Sequence, residues 1–280
     1  MLCVHGEVPP VRYYGFAKNP GPAYIRGIYE GNGNPPDNKL WLTYSMSKED
    51  LWVTTISTSI RASVGDHIYQ DFENISSESE LKLWNLYIPK WAPIDIIEIP
   101  GSKNSVMQMI DEEPYDYSLA ERHFLPSRKA KIEFDLYIKE LGKDILEFEL
   151  QNEKNERAIR LRFDPSIEGI NFDLGKYDPW PEPITVNKWY SISIEFDCSK
   201  GEFDFNLNGK KIHAGAKLNI KSETLERMVF RTGSYRSDIR QLILEGEPES
   251  PGLDNENLPF AGVKVPKSVF WIDNVRSVQL

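Results

Sequence analysis

The sequence is short of cysteine, of long apolar runs and of clustered basic residues. Its two cysteines, Cys3 and Cys198, lie far apart in 280 residues and match no metal or redox spacing, so each reads as a buried or incidental thiol. No run approaches the roughly 18 apolar residues a membrane helix requires, which leaves membrane insertion unsupported. The opening "LCVHGEVPPVRYYG" has neither a basic n-region nor a long apolar h-region, and no secretory signal is expected in it. A net charge of −10 argues against nucleic acid or anionic membrane as a partner, since both are held by clustered Lys and Arg.

The chain does have enough apolar residues to form a core: 40% are hydrophobic and 12% aromatic, beside 27% charged. Its acidity is unevenly spread. Residues 1–68 hold six of the 33 basic and six of the 43 acidic residues, so all the excess acid lies beyond residue 68. That step predicts a boundary between a piece spanning 1–68 and a domain spanning 69–280.

From Lys131 onward apolar and polar residues alternate, the period-two signature of strands with one buried face. "KIEFDLYI" sets Ile132, Phe134, Leu136 and Ile138 on one side and Glu133, Asp135 and Tyr137 on the other, and "LEFEL", "IRLRF" and "YSISIEF" repeat the scheme. In "GEFDFNLNGKKIHA", Asn208-Gly209 supplies the two left-handed residues of a type I′ hairpin. The implied register pairs Leu207 with Lys210, Phe205 with Ile212 and Phe203 with Ala214. The outer acids Glu133, Asp135, Glu147 and Glu149 read as a solvated sheet face, with Arg160 and Arg162 on a neighbouring strand. A helical turn or two is expected only around "SSESELKLW", residues 76–84. Many short strands with Gly, Pro and Asn punctuation predict an all-β, antiparallel sandwich or jelly roll.

Two resemblances sharpen this reading. "VNKWYSISIEFDCSKGEFDFNLNGKKI" and the closing "VFWIDNVRSVQL" resemble the laminin G and concanavalin A-like lectin superfamily, whose jelly roll would span residues 69–280. "RGIYEGNGNPPDNKLWLTYSMSKEDLWVTTI", followed by "KLWNLYIPKWAPIDIIEIPG" and "DEEPYDYSLAERHF", resembles the last part of sialidase-like, BNR-type β-propeller proteins of polysaccharide-degrading bacteria. The Asp-box of sialidases, Ser-x-Asp-x-Gly-x-Thr-Trp, is absent. Propellers use 4–8 blades, and a blade takes about 40 to 50 residues. Residues 1–68 therefore hold one blade and part of another, implying a propeller portion outside this sequence. The resemblance also implies a periplasmic or extracellular setting for a full-length protein.

Candidate site residues follow from side-chain chemistry. Arg26, a guanidinium in the apolar strand "YIRGI", suits a uronate or sialate carboxylate, or equally an ion pair at a blade edge. Glu49 and Asp50, beside Lys48 in a turn, and His5 in "CVHGE" are the candidate proton-transfer groups; each also reads as an ordinary exposed residue. Tyr44, and Tyr177 and Trp180 in "KYDPWPEPIT", offer rings for sugar stacking or for packing. Asp111 in "DEEPYDYS" and Asp273-Asn274 supply oxygens that suit calcium and suit Asx-stabilised turns as well. The function this predicts is part of a polysaccharide-degrading protein, of glycoside hydrolase or lyase type, acting on an acidic oligo- or polysaccharide and incomplete as a catalyst here. The alternative is a non-catalytic carbohydrate-binding or interdomain module.

Overall fold

The computed structural model describes residues 12–13, 21–28, 39–57, 67–73, 81, 83–164, 170–172, 184–233 and 260–280. They form seventeen strands and, among the described residues, no helix. The chain divides into two compact units, Met1–Ser63 with Tyr235–Val263, and Val64–Ser234 with Lys264–Leu280.

The first unit holds a three-stranded antiparallel sheet of β1 (Pro22–Ile28), β2 (Lys39–Met46) and β3 (Asp50–Ser57). β2 and β3 are joined by a tight turn in which Ser47 and Lys48 take positive φ, and Glu49 N–H closes onto the Met46 carbonyl at 2.9 Å. Tyr44 and Met46 point to a buried face. The opposite face is open and mixed in character, with Leu51 87% and Val53 56% exposed beside Thr43 and Ser45.

The second unit is a sandwich of two antiparallel sheets. The six-stranded sheet runs β12 (Ile170–Phe172), β11 (Arg157–Phe163), β10 (Leu146–Gln151), β16 (Leu225–Thr232), β8 (Leu119–Ser127), β5 (Trp84–Tyr87). The eight-stranded sheet runs β15 (Lys210–Lys217), β14 (Glu202–Leu207), β13 (Trp189–Asp197), β9 (Lys129–Glu140), β17 (Ser268–Gln279), β7 (Ser105–Asp111), β6 (Ile94–Glu98), with β4 (Ile68–Gln70) also paired to β17. The alternating residues of β9 behave as their pattern dictates: Ile132, Phe134, Leu136 and Ile138 are buried. Phe134 meets Phe148 of the facing sheet at 4.6 Å and Phe230 at 5.0 Å between ring centroids, which ties the two layers at their middle. Each such ring contributes about 1.5–3 kcal/mol by leaving water.

The Asn208-Gly209 hairpin forms, with both residues at positive φ and Leu207 paired to Lys210. Beyond that pair its register departs from the expected one, because Phe205 faces His213 and Phe203 faces Ala216. Asp204 explains part of the slip. Its carboxylate accepts from Gly215 N–H at 2.8 Å and from Lys211 Nζ at 2.6 Å, and Gly215 has a positive φ that glycine adopts without strain. A second irregularity lies in β17, between Asp273 and Arg276, where Asn274 takes φ 52°. The Asp-Asn pair read as a turn or a metal site is thus a bulge inside a twelve-residue central strand.

Candidate functional site

The structure separates the residues expected to act together in the first unit. Arg26, Thr43 and Val53 are Cα partners across β1, β2 and β3, so their side chains share one face. Asp50 pairs with Met46 and belongs with Tyr44 and Trp52 to the other face. Arg26 and Asp50 therefore do not converge. The Glu49 carboxylate is occupied by backbone, accepting from Arg12 N–H at 2.9 Å and Tyr13 N–H at 2.7 Å. Tyr44 is buried with its hydroxyl 3.0 Å from Thr54 Oγ1, a position that keeps its ring from any sugar. His5, Tyr177 and Trp180, like Cys3 and most of the stretch expected to be helical, lie outside the described residues.

The expected calcium ligands are likewise apart. Asp111 faces Ser268 in the β7–β17 register, five residues from Asp273 along β17, which is roughly 16 Å in a strand. Asp111 is fully buried, accepting from Thr232 Oγ1 and from Glu113 N–H, the latter at 2.8 Å. Burial first, then the nearby charge of Asp144, pushes its carboxyl up to about 8. Asp273 accepts from Asn104 Nδ2 at 2.9 Å and caps Asn274 N–H at 2.6 Å. No three His, Cys, Asp or Glu side chains among the described residues converge in a way that would hold a metal ion. These residues do not fit a shared calcium ion.

The outer face of the six-stranded sheet differs most from expectation. Glu147 and Glu149 are 0% and 1% exposed, not solvated. Glu147 is Cα partner to Arg162 on β11 and Arg231 on β16, and Glu149 to Arg160 and Val229. Glu147 accepts from Arg160 Nη2 at 2.6 Å, from Arg162 Nε at 2.8 Å and from Arg231 Nη2; Glu149 accepts from Arg157 Nε at 2.9 Å and Arg231 Nη2 at 2.7 Å. Burial alone would raise the Glu147 carboxyl, but Arg231 and Arg160 outweigh it and hold it below the ordinary glutamate range. Alternation identified these residues as outward-facing, and the interlocked guanidiniums are what make their burial tolerable.

The outer face of the eight-stranded sheet carries an aromatic ladder that sequence reading passed over. Trp189 on β13, Tyr137 on β9 and Trp271 on β17 are successive Cα partners on three adjacent strands. Tyr137 stacks on Trp271 at 4.9 Å and 14° between planes, and lies 5.2 Å from Trp189 at 47°. Lys139 Nζ sits 4.7 Å over Trp271, whose indole N–H donates to Gln108 Oε1 at 3.0 Å, while Tyr137 OH donates to Asn187 Oδ1 at 3.4 Å. Trp271 is buried among Val106 and Val269, whereas Trp189 stays 38% exposed at the end of the row. Each ring lies on the polar side of its strand pattern. That was the available signal; the pairing of strands more than 50 residues apart was not.

Among solved structures, a sialidase matches with a TM-score of 0.85 and 30% identity over 99% of this chain. The chain spans 24% of that sialidase's length. A cellulose-induced protein matches at 12% identity and TM-score 0.48 over 76% of this chain and 97% of its own. An alginate lyase in complex with an alginate trisaccharide matches at 9% and 0.48 over 78% of this chain and all of its own. No curated protein matches the sequence. The family model described as "Sialidase-like, CBM domain" matches residues 84–239, more than half of the chain and most of the sandwich, and the chain belongs to that family.

Proposed function

We propose that this chain is a glycan-binding piece of a longer, sialidase-like polysaccharide-degrading protein, and that its sandwich holds sugar rather than cleaving it. The observation that carries the reading is the Trp189–Tyr137 pair, an exposed indole beside a half-buried phenol on the outer face of the eight-stranded sheet. Sugar rings have apolar C–H faces that stack on such rings, while their hydroxyls find the flanking Asn187 and Lys139. Family membership supports the same reading. Residues 1–68 are, on this proposal, the terminal blade region of a sialidase-like propeller continued elsewhere in the longer protein, and 69–280 its concanavalin A-like partner domain. The open Leu51 and Val53 face of the three-stranded sheet is consistent with a blade lacking a neighbour. Arg26 remains the residue of this region best suited to a carboxylate, because it is exposed on that open face. Tyr177 and Trp180 remain proposed as further sugar-stacking rings.

The test is calorimetric titration of the chain with a panel of neutral and acidic oligosaccharides, beside a Trp189→Ala variant. The expected result is binding that weakens at least about tenfold in the variant, equivalent to about 1.4 kcal/mol. Undiminished binding by the variant, or no binding to any glycan, would remove the proposal.

A further inference from the structure

The core-facing side of β8 carries a charge where its neighbours are apolar. Ala120 and Phe124 point into the sandwich core, and Arg122 lies between them on the same face at 8% exposure. Its Cα partners are Met228 on β16 and Trp84 on β5, the edge strand of the six-stranded sheet. Trp84 is also buried, 6.3 Å from Phe72 and 6.0 Å from Phe230 between ring centroids. Neither Arg122 Nε nor Trp84 Nε1 has an acceptor among the described residues, and no carboxylate there pairs with Arg122.

Two buried N–H donors without acceptors, on residues directly opposite each other, are a rare arrangement. Buried polar groups are hydrogen-bonded as a rule, and a buried charge without a counter-charge costs several kcal/mol. The Glu147 network shows how this fold treats buried guanidiniums elsewhere: Arg160 and Arg231 each bind carboxylate oxygens. For Arg122 burial is the one influence on its acidity, bringing it down to about 10 with no opposing charge. Directly opposite side chains in an antiparallel pair start roughly 4.5–5.5 Å apart at Cβ, close enough for one ligand group to meet both donors. An arginine side is also the natural match for a carboxylate.

We propose that Arg122 and Trp84 form a carboxylate-binding site at the β5 edge of the sandwich, which takes the acid group of a uronic or sialic acid residue. The identity of the ligand rests on the glycan-binding reading; the anion site itself does not. It lies on the inner face of the six-stranded sheet, whereas the Trp189 ladder is on the outer face of the eight-stranded one, so the two can be tested separately.

The experiment titrates the intact chain with sodium glucuronate, with sodium acetate and with glucose at constant ionic strength, following calorimetric heat and melting temperature. Glucuronate and acetate are expected to bind and to raise the melting temperature, with glucose giving no such shift. Arg122→Met and Trp84→Phe are expected to weaken glucuronate binding at least tenfold, while Trp189-dependent binding of neutral oligosaccharides persists. Trp84→Phe keeps an aromatic, though smaller, ring among Phe72 and Phe230 while removing the indole N–H, so it decides the matter if Arg122→Met fails to fold. Binding of neutral glycans with no response to either acid would overturn this site and leave the glycan reading standing. A response to acetate alone would overturn the acidic-sugar assignment, and unchanged glucuronate affinity in both variants would show Arg122 to be a purely structural charge.

Discussion

Arg231 and Glu147 face each other as Cα partners across β16 and β10, and the guanidinium Nη2 donates to Glu147 and, at 2.7 Å, to Glu149. One arginine thus joins two carboxylates that leave the same strand in the same direction. Replacing it with methionine leaves Glu147 to Arg160 and Arg162 and Glu149 to Arg157, and removes the most deeply buried positive charge between the two acids. Arg231→Met is expected to cost about 3–5 kcal/mol of stability, read by chemical denaturation. A loss below 1 kcal/mol would mean that the remaining arginines already satisfy the pair.

The same network sets an acid limit. The folded-state pKa of Glu147 lies below its ordinary value of 4.5, so its contribution is present above that pH and is lost as pH falls through the folded value. Glu147→Gln should therefore flatten the acid limb of the stability profile as well as lower the plateau. Melting temperatures from pH 6 to 3 test this.

Asp111 acts with the opposite sign. Its carboxyl is raised from 3.8 to about 8, so the folded state keeps a proton that the unfolded chain releases, and stability falls as pH rises between those values. The slope cannot exceed about 1.4 kcal/mol per pH unit for one proton. Asp111→Asn can still accept from Glu113 N–H and donate to Thr232, so it should remove this slope and be relatively more stable at pH 8 than at pH 5. An unchanged slope in the variant would assign the effect to another group.

Gly142 holds a close crossing. A Cβ there would lie 2.1 Å from the Pro266 carbonyl oxygen and 2.6 Å from that of Lys267, both backbone atoms with little room to yield. Gly142 N–H also donates to Ser268 Oγ at 3.0 Å. Gly142→Ala is expected to destabilise by about 1–3 kcal/mol; a neutral result in urea unfolding would mean that the 264–268 segment shifts freely.

The open face of the three-stranded sheet predicts association. With Leu51 and Val53 exposed beside Trp41, the chain should self-associate at high concentration, and Leu51→Lys with Val53→Thr should suppress this without changing the fold. Sedimentation velocity of both forms decides it, and equal behaviour would show that the face is not adhesive.

What could be read from the sequence was what is local and periodic. Alternation in "KIEFDLYI" and the Asn208-Gly209 turn led directly to β9 and to the hairpin, because side-chain direction follows from a two-residue repeat. Burial of the second face did not follow. Glu147 and Glu149 look like a wet surface until Arg231, more than 80 positions away, is brought beside them. Alternation puts Tyr137 on the polar side of β9, but only the pairing of distant strands sets it in a row with Trp189 and Trp271. Arg26 and Asp50 failed for a related reason: near neighbours in sequence were placed on opposite faces by register alone.

The position of β17 bears on how such a chain is made. It is inserted between β9 and β7, while all other strands of its sheet precede it in sequence. On a ribosome, β9 and β7 must wait with open edges and an uncovered apolar surface until Ser268–Gln279 has left the exit tunnel. Closure is therefore a late, long-range event, slow by the topology rule that penalises distant pairings. Until then the unfinished sheet offers two unpaired edges to any strand of another molecule, the usual hazard of an open edge.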